Sequence, residues 1–336
     1  MSTKFLLACL IASVASTGAM AQDYRVEQTF NLQGTGGWDY IALNPLNANL
    51  YVAHSNRVNI INRNTGDSTG VITHTEGVHG IAFAPKYGKG FTSNGKINSL
   101  FVFDMKTNNV LGGIATGQNP DAIMYDPFSD RLYVCNGRSR DLTVINPANN
   151  EVVKTIPLGG KPETAVSDEA GNIYINIEDK HEIAVLSTKT LEVTKRWKTG
   201  SGQEPSGLAI DIKTKRLFAG CGNKLLVVLN AENGKVVKEM PIGDGCDGVA
   251  FDNGSKTIFS SNGEGTLTVI KEKSANEFAV LQNAVTQKGA RTLVVDEKTH
   301  KVYLPTAEYS TTKAPGQKRP DVIPGTFRIH VMSNGK

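Results

Sequence analysis

Short runs of apolar residues alternate with clusters of turn-forming residues along almost the whole chain. Between positions 131 and 163, for example, the runs LYVC, DLTVIN and EVVKTIPL are separated by NGRSR and PANN and followed by GGKPE. Valine, isoleucine, threonine and aromatic residues dominate the runs, which is typical of β-strands, and glycine, asparagine and proline mark the turns. No segment after the N-terminal leader shows the periodicity of an amphipathic helix. The pattern predicts an all-β protein.

The same arrangement recurs seven times, and one polar residue near the start leads each copy. The copies begin WDYIALNP, VHGIAFAP, PDAIMYDP, PETAVSDE, PSGLAIDI, CDGVAFDN and ARTLVVDE, and their lead residues are spaced by 40, 42, 42, 43, 41 and 44 positions. Each copy has room for four short strands, and this period is typical of the four-stranded blades of a β-propeller. The sequence therefore predicts one seven-bladed β-propeller.

The two ends of the repeat array complement each other. The last copy stops after its third strand, FRIHVMS (327–333), and residues 24–32, YRVEQTFNL, resemble a fourth strand that precedes the first copy. Stacking blades in a closed ring covers both faces of every sheet, whereas an open array would leave apolar faces in water. We therefore expect the N-terminal strand to complete blade seven.

The repeat resembles that of a known family. The segments LYVCN (132–136), LTVIN (142–146) and VVKTIPLG (152–159) resemble the YVTN-type repeat of exported seven-bladed propellers, which include YncE-like periplasmic proteins. The resemblance covers nearly the whole chain after the leader. It implies a periplasmic propeller with a binding role rather than an assigned reaction. Related folds include haem-binding domains, but the chain has no C-x-x-C-H haem attachment motif.

The first 21 residues have the features of a signal peptide. Lys4 supplies a positive charge, residues 5–14 are largely apolar, and Ala19-Met20-Ala21 forms a cleavage site before Gln22. The apolar run has about half of the ~20 residues that a membrane-spanning helix needs. Lipid attachment at Cys9 is the alternative, but Cys9 comes early and apolar residues follow it. The predicted organisation is a signal peptide at 1–21, a single domain at 22–336, a periplasmic location and no membrane span.

Charge and cysteine content narrow the functional classes. Loss of the leader removes Lys4, so 35 of the 36 basic residues remain against 32 acidic residues. This near balance gives no electrostatic drive toward nucleic acid, which is therefore an unfavoured partner. Three cysteines remain, so at least one thiol has no partner within the chain. Cys221 and Cys246 are a candidate disulfide, whereas Cys135 lies within a strand and is predicted to be a buried, inert thiol.

The seven lead residues are predicted to meet at one mouth of the central channel, because the inner strands of a propeller all begin at the same face. We call these residues the inner ring: Asp39, His79, Asp121, Glu163, Ser206, Asp247 and Arg291. Four carboxylates around a narrow channel repel one another unless a cation, protons or Arg291 offset them. The ring is either a polar ligand site or a set of caps for strand ends and loops. We predict ligand binding by all members except Ser206.

The residues that end the second strands should form an outer ring at the same mouth: His54, Asn94, Asn136, Ile177, Cys221, Asn262 and Thr306. His54 of blade one and His79 of blade two are predicted to be neighbours there. With Asp39 or Asp121 they have the ligand types of a divalent transition-metal site, so a divalent metal ion is a candidate cofactor. The alternative is that both histidines make ordinary hydrogen bonds.

One copy carries a long insertion. The segment TTKAPGQKRPDVIPGT (311–326) separates the second and third strands of the last copy. Long loops in compact folds are usually functional or disordered. We expect this one to lie over the mouth beside Arg291 and Glu308, either as a lid or partner contact or as a solvated insertion. Trp38 is predicted to pack in the core, although it is also a candidate for the mouth.

These features favour a non-enzymatic binding or scaffold protein. The chain lacks G-x-S-x-G, a P-loop and a G-x-G-x-x-G motif between a strand and a helix. We predict an exported, monomeric propeller that binds a small polar ligand or a periplasmic protein partner through the polar mouth. The alternative is a metal-assisted lyase or hydrolase that uses the same site.

Overall fold

The protein is an all-β, seven-bladed β-propeller. The computed structural model describes residues 23–313 and 320–335, so the predicted signal peptide lies outside the described residues. The described residues form seven four-stranded antiparallel sheets, and the inner strand of each sheet lies against those of its two neighbours in a ring. Helical structure within these ranges is limited to three single turns of 3-10 helix, Pro85–Tyr87, Gly95–Ile97 and Glu178–Lys180. None of the described helices has the length and apolar character that a membrane crossing requires.

The N-terminal strand and the first three blades account for the first half of the fold. The strands in chain order are β1 Arg25–Asn31; then blade one, β2 Trp38–Leu43, β3 Asn49–His54, β4 Arg57–Asn62 and β5 Ser68–Thr73; blade two, β6 Val78–Ala84, β7 Lys89–Asn94, β8 Ser99–Asp104 and β9 Val110–Ala115; and blade three, β10 Pro120–Asp126, β11 Arg131–Asn136, β12 Asp141–Asn146 and β13 Glu151–Pro157.

The remaining blades repeat this order. They are blade four, β14 Pro162–Ser167, β15 Asn172–Ile177, β16 Glu182–Ser187 and β17 Glu192–Lys198; blade five, β18 Pro205–Asp211, β19 Arg216–Cys221, β20 Leu225–Asn230 and β21 Val236–Pro241; blade six, β22 Cys246–Asp252, β23 Thr257–Asn262, β24 Thr266–Ser274 and β25 Glu277–Val285; and blade seven, β26 Val294–Asp296, β27 Lys301–Thr306 and β28 Arg328–Ser333.

Strand β1 completes blade seven, as the sequence predicted. It pairs antiparallel with β28, from Arg25 opposite Ser333 to Asn31 opposite Arg328. The sheet order is therefore β1-β28-β27-β26, so the outermost strand of the last blade comes from the start of the chain. Phe30 is the buried anchor of β1, and it packs in a core cluster with residues of blades one and seven.

The core lies between neighbouring blades. The second strands are buried on both faces because each is covered by the blade on either side, as in β11, where Leu132 and Val134 face blade two while Tyr133 and Cys135 face blade four. The fourth strands face solvent, and β13 buries only Ile156. This gradient explains why second strands such as β11 are apolar on both faces, while fourth strands such as β13 and β17 carry lysine and glutamate.

The inner strand of blade seven is shorter than the repeat predicts. Only Val294–Asp296 pairs with β27, so Arg291 lies before the strand rather than within it. Hydrogen bonds from side chains to backbone connect this segment to blades six and one. Ser261 Oγ donates to the Arg291 carbonyl, and Thr292 Oγ1 donates to the Asp39 carbonyl at 2.8 Å.

Candidate functional site

Six of the seven inner-ring residues occupy the same place in their strands. Each is the second residue of its inner strand, and the pairing of that strand with its neighbour shifts register at this point. In blade one, for example, Trp38 pairs with His54 and Ile41 pairs with Val52, which leaves Asp39 and Tyr40 outside the regular ladder. Such bulges re-aim side chains and are common beside functional sites. Here they direct the lead side chains toward the channel mouth.

Glycines directly after three of the lead residues, Gly80, Gly207 and Gly248, let the inner strands approach one another. A Cβ on Gly80 would lie 2.7 Å from the Asp121 carbonyl oxygen, and one on Gly207 would lie 2.6 Å from the backbone nitrogen of Val249. Any larger residue would push these strands apart. The glycines therefore keep the mouth narrow and the lead side chains close together.

Ring members from blades one, two and three are in direct contact. His79 Nδ1 lies 2.6 Å from Asp39 Oδ2 and 3.9 Å from Asp121 Oδ1. One carboxylate or imidazole atom from each of these three residues lies within 4.8 Å of the others. The three side chains are half-buried or better, so their charges are only partly screened by solvent.

Blades five, six and seven supply a second group of contacts. Ser206 Oγ donates to Asp247 Oδ1 at 2.9 Å, and Arg291 Nη1 forms an ion pair with Asp247 Oδ2. Arg291 Nη2 also donates to the Trp38 carbonyl at 2.9 Å, which connects this group to blade one. Arg291 offsets Asp247, as the sequence suggested for one of the four carboxylates.

The fourth carboxylate has a cationic partner that the sequence analysis missed. The Lys161 ammonium contacts both Glu163 and Glu178, so one lysine serves two carboxylates in blade four. Lys161 lies two positions before its lead residue, in the loop between blades three and four. No other copy has a lysine at this position, so the repeat pattern gave little reason to include it.

Proximity of the carboxylates changes their protonation. Burial, followed by the charge of Asp39, raises the pKa of Asp121 to about 7. Burial, followed by the charge of Asp121, raises the pKa of Glu163 to about 8. Burial alone would lower the pKa of His79, but the hydrogen bond to Asp39 and the charge of Asp121 raise it to about 9. Near neutral pH the ring therefore holds protons that isolated carboxyl groups would have lost.

Tyr40 crosses the channel beneath the ring, and the sequence analysis missed it as well. Its hydroxyl lies 3.4 Å from Thr164 Oγ1, which joins blade one to blade four. A cavity of about 150 Å³ lies beside it in the channel and is lined mainly by Ile41, Ile81, Ile123, Met124 and Ala165. In the other six copies the residue after the lead residue is glycine, alanine or threonine. A tyrosine at this position in the first copy was therefore a usable signal.

The outer ring differs from the inner ring in its surroundings. All seven of its residues are buried at the ends of the second strands. Asn136 and Asn262 donate to side chains of their own blades, namely Asp141 and Thr143 in the first case and Thr266 and Thr268 in the second. These contacts fasten the blades rather than line an open mouth.

His54 is packed separately from the His79 cluster. It is fully buried, its ring centroid lies 4.0 Å from that of Phe327, and its Nδ1 lies 3.0 Å from Asn59 Oδ1. Burial lowers its pKa, so its neutral form is favoured. The set of close ligand atoms found among the described residues joins His79 to Asp39 and Asp121, and His54 is not a member.

Three cysteines lie in the described part of the chain, Cys135, Cys221 and Cys246, and all three are buried free thiols. Cys221 packs in the core between blades four and five, whereas Cys246 packs in the core between blades five and six. The sheet of blade five lies between them, so the disulfide considered from the sequence is not formed. Cys135 is fully buried within β11, in agreement with the prediction.

The stems of the long insertion lie beside the mouth. Ser310 N donates to the Asp321 carbonyl and Ile323 N donates to the Glu308 carbonyl, each at 2.8 Å, so the two stems pair with each other. Tyr309 and Pro320 line a cavity together with Arg291, and residues 314–319 lie outside the described ranges. Trp38 packs in the core, as predicted, and its ring lies 5.8 Å from that of Tyr309.

No model of a known protein family matches this chain, and a search of curated proteins gave no match. What the mouth does has to be inferred from its own contacts and charges.

Proposed function

We propose that the chain is an exported periplasmic propeller of the YVTN-repeat type that binds a small, positively charged ligand at the inner ring. In this view it is a binding protein, and ligand binding at the mouth is its activity. The seven-bladed scaffold suits binding and interaction roles in general, because loops and strand ends from every blade converge on one face. The N-terminal leader pattern supports export, and the near balance of charge disfavours nucleic acid as the ligand.

One observation carries this proposal. Asp39, Asp121, Glu163 and Asp247 converge on one mouth, where Arg291 is paired with Asp247 and Lys161 is shared between Glu163 and Glu178. The carboxylates left with incomplete compensation are Asp121 and Glu163, and both have raised pKa values. A ligand ammonium or metal cation can supply the positive charge that a proton supplies otherwise. The ring therefore favours cationic ligands.

Native mass spectrometry of the protein purified from its own periplasm tests the proposal. We expect a non-covalent adduct on the wild-type protein and its loss from the double variant Asp121→Asn, Glu163→Gln. Asp67→Asn is the matched control, because Asp67 is an exposed carboxylate in the β4–β5 turn. An adduct that persists in the double variant, or the absence of any adduct from the wild-type protein, contradicts binding at the ring.

Export is tested separately by sequencing the N-terminus of the purified protein. We expect a periplasmic extract to contain chains that begin at Gln22. A full-length chain that stays in the cytoplasmic fraction contradicts this part of the proposal, and it leaves ligand binding at the ring to be judged on its own.

The contacts of His79 favour a second candidate, a metal-assisted lyase or hydrolase. An imidazole and two carboxylates within 4.8 Å of one another are a suitable donor set for a divalent transition metal. A metal bound by Asp39, His79 and Asp121 would act as a Lewis acid toward a carbonyl or phosphoryl oxygen. Asp121, whose pKa is about 7, would have to release its proton before it could bind a metal.

Elemental analysis and zinc or manganese titration calorimetry decide this second candidate. Binding that is lost in His79→Ala and kept in His54→Ala assigns the metal to the inner ring, because His54 lies outside the ligand set. If the wild-type protein binds neither metal, or if His54→Ala is the variant that loses it, the inner-ring metal site is wrong.

A further inference from the structure

A groove of about 320 Å³ lies beside the inner ring, between blades six and seven. Its walls are formed by Gly245, Gly263, Lys288, Gly289, Arg291, Tyr309 and Pro320. Arg291 belongs to the inner ring as well, so the groove and the ring are continuous at this residue. A ligand held at the ring can therefore extend into the groove.

Three glycines leave the groove wall without side chains. Gly263 N donates to the Gly245 carbonyl and Gly289 N donates to the Gly263 carbonyl, both at 2.8 Å, so the glycines form one connected stretch of backbone. Gly289 has a φ of +92°, and a Cβ there would lie 2.7 Å from Cε2 of Tyr309. Bare backbone of this kind lets the main chain of a ligand approach closely.

Two cationic side chains, Lys288 and Arg291, are among the described residues that line the groove, and no carboxylate is among them. Arg291 is paired with Asp247, so Lys288 supplies the uncompensated positive charge of this described lining. No ion pair or side-chain hydrogen bond of Lys288 is found among residues 23–313 and 320–335, although Lys161 and Lys224 at the same face are both paired. Arg291 uses Nη1 and Nη2 for its described contacts, and a guanidinium has five N–H donors, so donors remain for a ligand.

The charge of the mouth is thus divided between two sides. Asp39, Asp121 and Glu163, which we call the acidic arc, place carboxyl groups on the side of blades one, three and four, where His79 and Lys161 offset part of their charge. Lys288 and Arg291 are the cationic side chains on the blade-seven side. Arg291 is tied to blade one through the Trp38 carbonyl, which places the basic groove next to the acidic arc. A molecule that satisfies both sides carries an ammonium group and a carboxylate.

We propose that the ligand is dipolar, with the chemistry of an amino acid or a short peptide. Its ammonium group lies against the acidic arc, and its carboxylate lies in the groove between Lys288 and Arg291, with its backbone along the three glycines. This inference rests on the proposed function, because the ammonium end uses the inner ring. It adds a separate claim, namely that the carboxylate contributes to binding through the groove.

Trp38 provides a local reporter for this groove. The chain has two tryptophans, and Trp38 contacts Tyr309 while its Cζ2 lies 3.2 Å from the place of a Cβ on Gly289. Trp197→Phe leaves Trp38 as the sole tryptophan, and Trp197 lies in β17, outside the groove and the ring. Fluorescence of this variant reports events at the mouth, and calorimetry on the wild-type protein checks the same titrations.

The probes are three peptides that differ in their charged ends. Triglycine carries an ammonium and a carboxylate, its C-terminal amide carries only the ammonium, and its N-acetyl form carries only the carboxylate. We expect triglycine to bind at millimolar concentrations or below and the amide to bind about tenfold more weakly, since the amide loses charge-assisted hydrogen bonds. The Lys288→Met substitution should weaken the binding of triglycine and leave the binding of the amide unchanged. Lys224→Met is the control, because Lys224 is paired with Asp244 and does not line the groove.

The outcomes separate the groove from the ring. One outcome is that Asp121→Asn weakens the binding of both triglycine and its amide, while Lys288→Met changes the binding of neither peptide. In that case the groove inference is wrong and the ring proposal stands. If Asp121→Asn changes neither, ammonium binding at the ring is wrong as well. Failure of triglycine to bind in both assays overturns the dipolar ligand, and the periplasmic adduct described above then decides the ring proposal independently.

Discussion

At the scale of single residues, the mouth is defined by carboxyl groups that hold protons more tightly than usual. The fold brings Asp121 near Asp39, Asp247 and Glu163, and burial reduces the solvent that would stabilise their charges. A carboxyl with a raised pKa opposes folding once it ionises, so Asp121 and Glu163 lower the stability of the folded protein when they carry the charge that the proposed cation site requires. This is the usual relation between functional sites and stability.

The pH dependence of stability follows from these groups. An ordinary aspartate has a pKa near 3.9 in the unfolded chain, whereas that of Asp121 is about 7 in the folded protein. Between about pH 4 and about pH 7 the folded protein holds the Asp121 proton more tightly than the unfolded chain does. The contribution of Asp121 to the free energy of unfolding therefore falls as the pH rises through this range. His79, raised to about 9, adds stability that is full below about 6.5 and lost as pH rises through 9.

Asp121→Asn should therefore change the melting temperature in a pH-dependent way. Between pH 5 and pH 8.5 we expect the melting temperature of the variant to rise by about 2 °C or more relative to that of the wild-type protein, because the variant lacks the carboxyl group that ionises in this range. Calorimetric scans across pH measure this difference, with Asp67→Asn as the control. A variant that melts lower than the wild-type protein at pH 8.5 shows that the contact with His79 outweighs the repulsion.

The thiols give a second prediction at this scale. Burial raises the pKa values of Cys221 and Cys246 to about 12, so both remain protonated and unreactive in the folded protein. We expect no reaction with a thiol reagent under native conditions and three alkylated cysteines per mature chain after denaturation, measured by mass spectrometry. A mass that shows only one free thiol would mean that blade five is distorted enough to join Cys221 to Cys246.

At the scale of elements, the strand that completes blade seven has an uneven distribution of contacts. Strand β1 is exposed along most of its length, and Phe30 is its buried residue. The aromatic ring lies against Gly66, where a Cβ would approach it to 2.3 Å, whereas Val26 is 37% exposed. Glu27 and Thr29 add polar contacts to Lys301 and His330, so Phe30 is the apolar anchor of a strand that is otherwise held by its ladder with β28 and by these polar contacts.

Phe30→Ala and Val26→Ala are a matched pair for testing β1. Loss of the buried ring should lower the free energy of unfolding by about 3–5 kcal/mol. Val26→Ala in the same strand should cost less than about 0.5 kcal/mol, because its side chain is partly in water. Urea denaturation compares the two. Similar losses in both variants would show that the ladder, rather than Phe30, fastens the strand.

The repetition along the chain made the strands and the inner ring predictable. Features that occur in only one copy of the repeat were not predictable in this way. The second strands recur at the same place in every copy because both of their faces are buried, including β7 and β23, where threonine and serine replace apolar residues. The lead residues were predictable because one position recurs seven times. Lys161 and Tyr40 were missed because each occurs in one copy. The shortened β26 depends on hydrogen bonds from Ser261 and Thr292, which the sequence pattern of a single blade does not encode.

At the scale of the whole molecule, the ring is closed by a blade that is assembled from both ends of the chain. Opening the circle at blade seven requires breaking the ladder between β1 and β28, whereas the other junctions between blades are held by side-chain packing and a connecting loop. Arg25 lies opposite Ser333, so a short linker between β28 and β1 would form a hairpin. The chain is therefore suited to circular permutation.

Two circular permutants test the value of this closure. New ends between Gly200 and Ser201, at the junction of blades four and five, leave every blade continuous and should lower the urea midpoint. New ends between Asn149 and Asn150, within blade three, again take a fourth strand from the N-terminus and should keep the midpoint near that of the wild-type protein. Equal midpoints would mean that closure by a shared blade adds nothing to stability.

The contact between the Tyr40 hydroxyl and Thr164 Oγ1 makes the two faces of the propeller unlike. It joins blade one to blade four across the channel, below the carboxyl groups. A ligand at the proposed site would therefore lie above this contact, and the mouth is the face from which it would reach the ring.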